Sequence, residues 1–387
     1  VSSGLYTLLA NTFLSVLVGV AVVLILVPYL RQSEFPIGLG GLIAALILMS
    51  LNQAGQYFLD VTRLHFSPWR FLLVSVTTRV LVSLAGLLAI VVWRWSLDAM
   101  LALQAFVVAI SLPLAIWVVR RDIVLSFDRA VSGMLLKFGY PFIAAVIAFW
   151  LFGAMDRWML AAMTSVEDVG LYAVAHRFAS IVMFFSIAFG QAWSPFAMKL
   201  RLDQPDRYRD AYSKVLLALF FGMLAVAGSV AVFSGEIFSI FMPEEYAGAA
   251  LAFAVLSLGV VLQSTQQVTA VGISLEKKTY LFGRLSWLSV AVNFGLNIFL
   301  IPRFGVVGAA WATTASYWVL TVSYMYFTQK LHPLPIVWRY IGVLCAAWLL
   351  ITVLASTSLT HGFEAQTVVV KLVSLILVCG AVSLMIP

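Results

Sequence analysis

Charge is scarce in this chain. Only 10% of its 387 residues are Asp, Glu, Lys or Arg, where a soluble domain carries about 25%. At 63% hydrophobic residues, that much apolar surface cannot be hidden in one globular core and must face lipid or other helices. Cysteine is nearly absent. Cys345 and Cys379 both sit inside apolar runs, with no CxxC or Cys/His spacing that would hold a metal, and read as small hydrophobes. No glycine-rich P-loop is present, so the chain carries no ATPase motif of its own, and no cofactor is implied. Long polar loops are also missing. No connector between apolar runs exceeds about 18 residues, which leaves no room for an extramembrane domain or for an external loop bearing catalytic groups.

What is present is a series of long, continuous apolar runs. A barrel strand would need only about 10 residues of alternating polarity, so the pattern predicts an all-α polytopic integral membrane protein. Twelve spans are predicted: 5–30, 37–58, 70–92, 98–119, 138–162, 169–196, 213–233, 248–272, 280–301, 306–328, 337–357 and 366–386. The span 98–119 has the weakest signal because it holds Gln104 and Pro113.

The net charge of +7 is distributed unevenly. Sixteen Lys and Arg fall on the even-numbered connectors and four on the odd side (Arg31, Arg94, Arg157 and Arg303), and Arg79, Arg177 and Lys371 lie within spans. By the positive-inside rule the even connectors and both ends of this chain are expected in the cytoplasm, with the protein in the inner (cytoplasmic) membrane. The excess of basic residues is thereby accounted for by topology, without nucleic acid as a partner. The first residue is Val1 and no charged n-region precedes the first apolar run, so no signal peptide is read.

Intramembrane ionisable residues are costly and are the first candidates for function. Arg79 lies nine residues beyond Arg70, about 13 Å along a helix at 1.5 Å per residue. It suits either a cation meeting a diphosphate or a side chain snorkelling to the interface. A second cluster joins Asp156 and Arg157, near the end of one span, to His176 and Arg177, near the start of the next. With the turn placed at Thr164–Asp168, a helical hairpin sets Asp156 level with Arg177. The expected outcome is an ion pair, read either as a structural clamp or as a substrate or proton-coupling site, with His176 titrating in the physiological range or serving as a packing residue. Arginine at such positions fits an anionic diphosphate through its planar fork.

A third set is uncharged: Asn52, Gln53 and Gln56; Gln191; Gln263, Gln266 and Gln267; Asn293 and Asn297. Gln263 and Gln267, like Asn293 and Asn297, are four apart and share a helix face. Polar cavity lining for a sugar and interhelical hydrogen bonding are both open. Pro141 is placed in the first turn of its span, where it is tolerated without a kink, and Pro195 at the close of another.

From about residue 133 the chain resembles the polysaccharide-export and flippase branch, of Wzx type, of the multidrug/oligosaccharidyl-lipid/polysaccharide (MOP) exporter superfamily. The segment LLKFGYPFIAAVIAFWLFGAMDRWMLAAMTSVEDVGLYAVAHRFASIVMFFSIAFGQAWSP (135–195) carries most of the likeness, followed by FSGEIFSIFMPEEYAGAA (233–250) and IPRFGVVGAAWATTAS (301–316). Residues 1–132 match by helix spacing alone. The resemblance implies two lobes of six helices and alternating access that moves a lipid-linked oligosaccharide, a repeat unit on a polyprenyl diphosphate, from the inner to the outer leaflet. It also implies a coupling ion, H+ or Na+, surrounding membrane lipids, and contact with polysaccharide polymerase machinery. On that pattern 1–119 would be a partial first lobe of four helices that lacks an N-terminal hairpin, 120–136 the cytoplasmic connector, 137–330 the second lobe and 331–387 two appended helices. A drug or cation antiporter of the same superfamily, and a membrane polymerase or ligase acting on lipid-linked sugars, are the competing readings.

Overall fold

The computed structural model describes residues 38–64, 67–120, 128–357 and 365–385, with isolated positions between 12 and 23. The described residues form helices and no strands. The chain divides into two compact units, Val1–Lys137 and Phe138–Pro387.

The first unit contains α1 (Leu39–Leu64), α2 (Pro68–Leu87, prolonged by a wider π turn over Leu88–Val92) and α3 (Leu97–Val119). Both α1 and α2 pack on α3, around Phe58, Leu59, Val61, Val74, Ala115 and Val119. Pro68 opens α2, where its missing N–H costs nothing. Ser96 caps α3 by accepting from the Ala99 N–H at 3.4 Å, and Asp98 in its first turn accepts from the Gly38 N–H at 3.0 Å, tying the start of α1 to the start of α3. Pro113 lies inside α3 without ending it.

Helix α4 (Arg129–Met163) runs from one unit into the next. It begins nine residues before the predicted span 138–162 because the Asp128 carboxylate caps it, accepting from the N–H groups of Ala130 at 2.8 Å and Val131 at 3.2 Å. This early start corrects the placing of Pro141, which is interior to α4 and not in a first turn. Pro195 is likewise interior to α5 (Val166–Asp203) and does not close it.

The second unit continues with α6 (Tyr208–Val232), the short α7 (Ser234–Phe241), a 3-10 turn (Glu244–Ala249), α8 (Ala250–Thr269), the short α9 (Val271–Leu275), α10 (Tyr280–Leu331), α11 (Trp338–Thr357) and α12 (Ala365–Met385). Helix α8 is the axis: almost every one of its residues is buried, and α5, α6, α10 and α11 pack around it. Small residues permit this. A Cβ on Gly259 would stand 2.6 Å from Thr314 Oγ1, so α8 and α10 meet at van der Waals contact, and the Thr314 hydroxyl donates to the Val255 carbonyl at 3.0 Å.

At 52 residues α10 would be about 78 Å long if straight, well over twice a bilayer core of about 30 Å. It folds back at Gly305, whose φ of 52° and ψ of −129° are open to glycine and strained for other residues. Hydrogen bonds from Ser289 to the Ser316 carbonyl (2.9 Å) and from Asn293 to Thr313 (3.4 Å) join the two arms. Thus α10 supplies both predicted spans 280–301 and 306–328. Ten helical segments among the described residues are long and apolar enough to cross a membrane. With α10 counted twice they match eleven of the twelve predicted spans, and 5–30 falls almost wholly outside the described residues. The chain is a multi-pass membrane protein.

Candidate functional site: a buried carboxylate and an arginine-lined cavity

Asp156 on α4 is 2% exposed and lies among three helices. Its Oδ2 accepts from the Tyr172 hydroxyl on α5 at 2.6 Å and from the Thr313 hydroxyl on the second arm of α10 at 2.6 Å. Its Oδ1 accepts from the Asn297 amide on the first arm at 2.7 Å. Asn297 also donates to Asn293 Oδ1 at 3.0 Å, and Asn293 donates to Thr313 Oγ1 at 3.4 Å. Every donor to the carboxylate is neutral. Among the described residues no Lys, Arg or His nitrogen lies within 4.0 Å of it. The acceptor Asn297 Oδ1 is buried and has no hydrogen-bond partner.

The predicted Asp156–Arg177 ion pair is therefore corrected. The turn is shorter than the sequence reading placed it: Ser165 caps α5 by accepting from the Asp168 N–H at 3.2 Å, so α5 starts at Val166. That earlier start brings Tyr172 level with Asp156. Arg177, more than a turn further on, is exposed, and Arg157 is half-buried with its Nε unpartnered. His176 lies beside Tyr172, ring centres 6.2 Å apart and planes tilted by 38°, within electrostatic reach of Asp156 and Arg157.

Asn293 and Asn297 share a face as predicted and join the carboxylate. The glutamines stand elsewhere. Gln191 lies nineteen residues beyond Tyr172 on α5, about 28 Å along the axis. The Gln267 amide covers Gly190, where a Cβ would meet it at 2.5 Å, and Gln263 Oε1 is buried without a partner. Gln266 donates to Thr321 at 3.1 Å.

In the first unit Arg79 lines a cavity of about 210 Å³ with Asn52, Gln56, Ser75, Thr78 and Ser111. Six polar side chains on α1, α2 and α3 thus converge within apolar helices. Sequence reasoning passed over Tyr172 and Thr313, although both lie in the motifs GLYAVA and GAAWATTAS. It also passed over Glu236, which pairs with Lys371 at 2.6 Å, the two side chains 4% and 2% exposed.

The helical fold is similar to that of solved MATE transporters, one of them a multidrug resistance transporter of the MOP superfamily. The structure of a mutant Vibrio cholerae MATE transporter, VcmN, superposes with a TM-score of 0.69 over 84% of this chain and 77% of that one, at 13% identity. Residues 14–251 match the family described as Polysaccharide biosynthesis protein, and the chain belongs to that family. Two relatives from Haloferax volcanii are similar in sequence. The probable low-salt glycan biosynthesis flippase Agl15 is 26% identical over 258 residues, 65% of this chain and 52% of that protein. The probable flippase AglR is 28% identical over 170 residues, 42% of this chain and 35% of that protein. The chain spans about half the length, or less, of these relatives.

Proposed function

We propose that this protein is a secondary transporter that flips a lipid-linked oligosaccharide, carried on a polyprenyl diphosphate, from the inner to the outer leaflet of the inner membrane by alternating access. The family membership, the flippase names of its relatives and the MATE-like fold support that reading. The sixteen-to-four bias of basic residues supports cytoplasmic even connectors and cytoplasmic ends.

The observation that carries the mechanism is the Asp156 network. A membrane-buried carboxylate with three neutral donors and no cation is stable enough to persist, and open to neutralisation. A proton would settle on a carboxylate oxygen. A sodium ion would take oxygens, and Asp156 Oδ1 and the unpartnered Asn297 Oδ1 are the ones it would recruit. Either event alters hydrogen bonds to α4, α5 and both arms of α10 together, which is how a single charge is felt by several helices. Arg79, Arg157 and Arg177 are assigned to the diphosphate, since a guanidinium meets phosphate oxygens in pairs. Gln191, Gln263 and Gln267 are assigned to the sugar. These arginines also weigh against the alternative of a drug or cation antiporter.

The test is reconstitution of the full chain in vesicles with a labelled lipid-linked oligosaccharide, with and without an imposed H+ or Na+ gradient. Gradient-dependent appearance of label in the opposite leaflet is expected. No movement under either gradient overturns the reading. The variant R79A/R177A is expected to lose flipping while melting like wild type; normal flipping by that folded variant removes both arginines from the substrate site.

A further inference from the structure

A cleft of about 350 Å³ opens between α6, α8, the second arm of α10 and α11, away from the Asp156 network. Leu216, Phe220, Leu262 and Ile341 form its apolar floor, and Trp318, Val322, Tyr326 and Trp338 stand on its lips at 53%, 44%, 60% and 58% exposure. It therefore opens on the exposed apolar surface of the second unit. One end is polar. Thr269 lines that end, is completely buried, and its Oγ1 has no hydrogen-bond partner. A hydroxyl in this setting lacks an acceptor, and such groups are costly unless something fills the place.

The same end carries two exposed cations, with Glu276 held against His332 nearby. Lys330 follows the lining residue Gln329 and stands four residues beyond Tyr326, hence on the same face of α10; Arg339 follows the lining residue Trp338. Both cations are exposed, and no Asp or Glu occurs between Glu276 and Glu364. The connector between them is fastened. Gln329 donates to the Leu334 carbonyl at 3.2 Å and accepts from its N–H at 3.1 Å, and Ser213 donates to the Pro335 carbonyl at 2.9 Å. His332 bonds Tyr208 at 2.9 Å and Glu276 at 3.3 Å. The cations are thus set at the mouth of the cleft by a braced segment.

We propose that this cleft is a binding site for one anionic glycerophospholipid of the leaflet at the Lys330–Arg339 end, independent of the flipping reaction. One acyl chain occupies the apolar floor, an ester carbonyl accepts from Thr269, and the phosphate meets Lys330 and Arg339. The hydroxyl favours a glycerophospholipid over a polyprenyl diphosphate, whose chain offers no acceptor below the phosphate.

Native mass spectrometry of the delipidated full chain, titrated with chain-matched phosphatidylglycerol and phosphatidylcholine, tests the assignment. Two cations near an anionic head group give about a 25-fold preference for phosphatidylglycerol. That preference is expected to fall to within twofold in K330Q/R339Q, whereas T269V weakens both lipids alike. Equal affinity of the wild type for the two lipids overturns the proposal, as does an unchanged preference in K330Q/R339Q, or displacement of phosphatidylglycerol by an equimolar polyprenyl diphosphate. If the double variant fails to fold, a photoactivatable phosphatidylglycerol on the wild type decides. Adducts confined to the cleft-lining stretches of α6, α8, the second arm of α10 and α11 support the site, and adducts spread over helices that do not line it refute it.

Discussion

Replacing Asp156 separates the structural part of its network from the part that responds to charge. In D156A three donors, from Tyr172, Thr313 and Asn297, lose their acceptor at a site that is 2% exposed. Leaving a buried donor unpaired costs about 1–3 kcal/mol; with some mutual repairing of the three, the sum is about 3–5 kcal/mol. For a unit of this size, about 2–4 °C of melting midpoint per kcal/mol gives a fall of about 6–20 °C. D156N keeps the shape. Its carbonyl still accepts from Tyr172 and Thr313, and its new NH2 faces Asn297. Asn297 can answer by turning its amide over, presenting the Oδ1 that is now unpartnered and giving up its bond to Asn293. One neutral hydrogen bond is exchanged, worth about 1 kcal/mol, or about 2–4 °C. D156N should therefore fold and yet lack the charge that a coupling cation needs. The assays are thermal unfolding in detergent and gradient-driven flipping in vesicles. The reasoning is refuted if D156A melts within 2 °C of wild type, or if D156N flips with the gradient dependence of the wild type.

Other consequences can be checked separately. G305A places a Cβ at φ 52°, ψ −129°, and should cost about 1–3 kcal/mol, read as a lower melting midpoint and reduced yield of folded protein. K371M or E236Q alone leaves its partner's charge buried and should destabilise by about 3–5 kcal/mol, whereas the double change to apolar residues should be close to neutral; a double variant no better than either single one refutes an ion-pair origin. Burial holds His332, in the connector after α10, below its ordinary pKa. A group depressed on folding takes its proton more readily when unfolded, so the stability it protects is present above about pH 6.5 and is lost as pH falls below that value. H332Q should flatten the dependence of melting midpoint on pH between 7 and 5.5, and an unchanged slope would reject the assignment.

The spans were legible because they depend on length and apolarity alone, which a bilayer reads one residue at a time. Asn293 and Asn297 were legible for a similar reason: spacing on a single helix needs no knowledge of any other helix. Partnership across helices was not. Shifting the start of α5 by the width of one cap at Ser165 exchanged Arg177 for Tyr172 as the neighbour of Asp156. Helix starts are set by single side chains such as Asp128 and Ser165, and an apolar run does not show where they act. Thr313 was hidden by distance, since it meets Asp156 across 157 positions of sequence. Glu236 and Lys371, 135 positions apart, were hidden in the same way.

The fold-back at Gly305 also bears on how the protein is made. Its two arms are joined without a loop, and each carries polar groups answered by the other: Ser289 by the Ser316 carbonyl, Asn293 by Thr313. A lone first arm would bring Ser289 and Asn293 into hydrocarbon before their partners, Ser316 and Thr313, had been synthesised. Entering as a closed hairpin spares the chain that exposure. Translation and membrane insertion of residues 280–331 should therefore proceed as one event, and a ribosome stalled between the arms would leave an insertion intermediate for quality-control proteases to find.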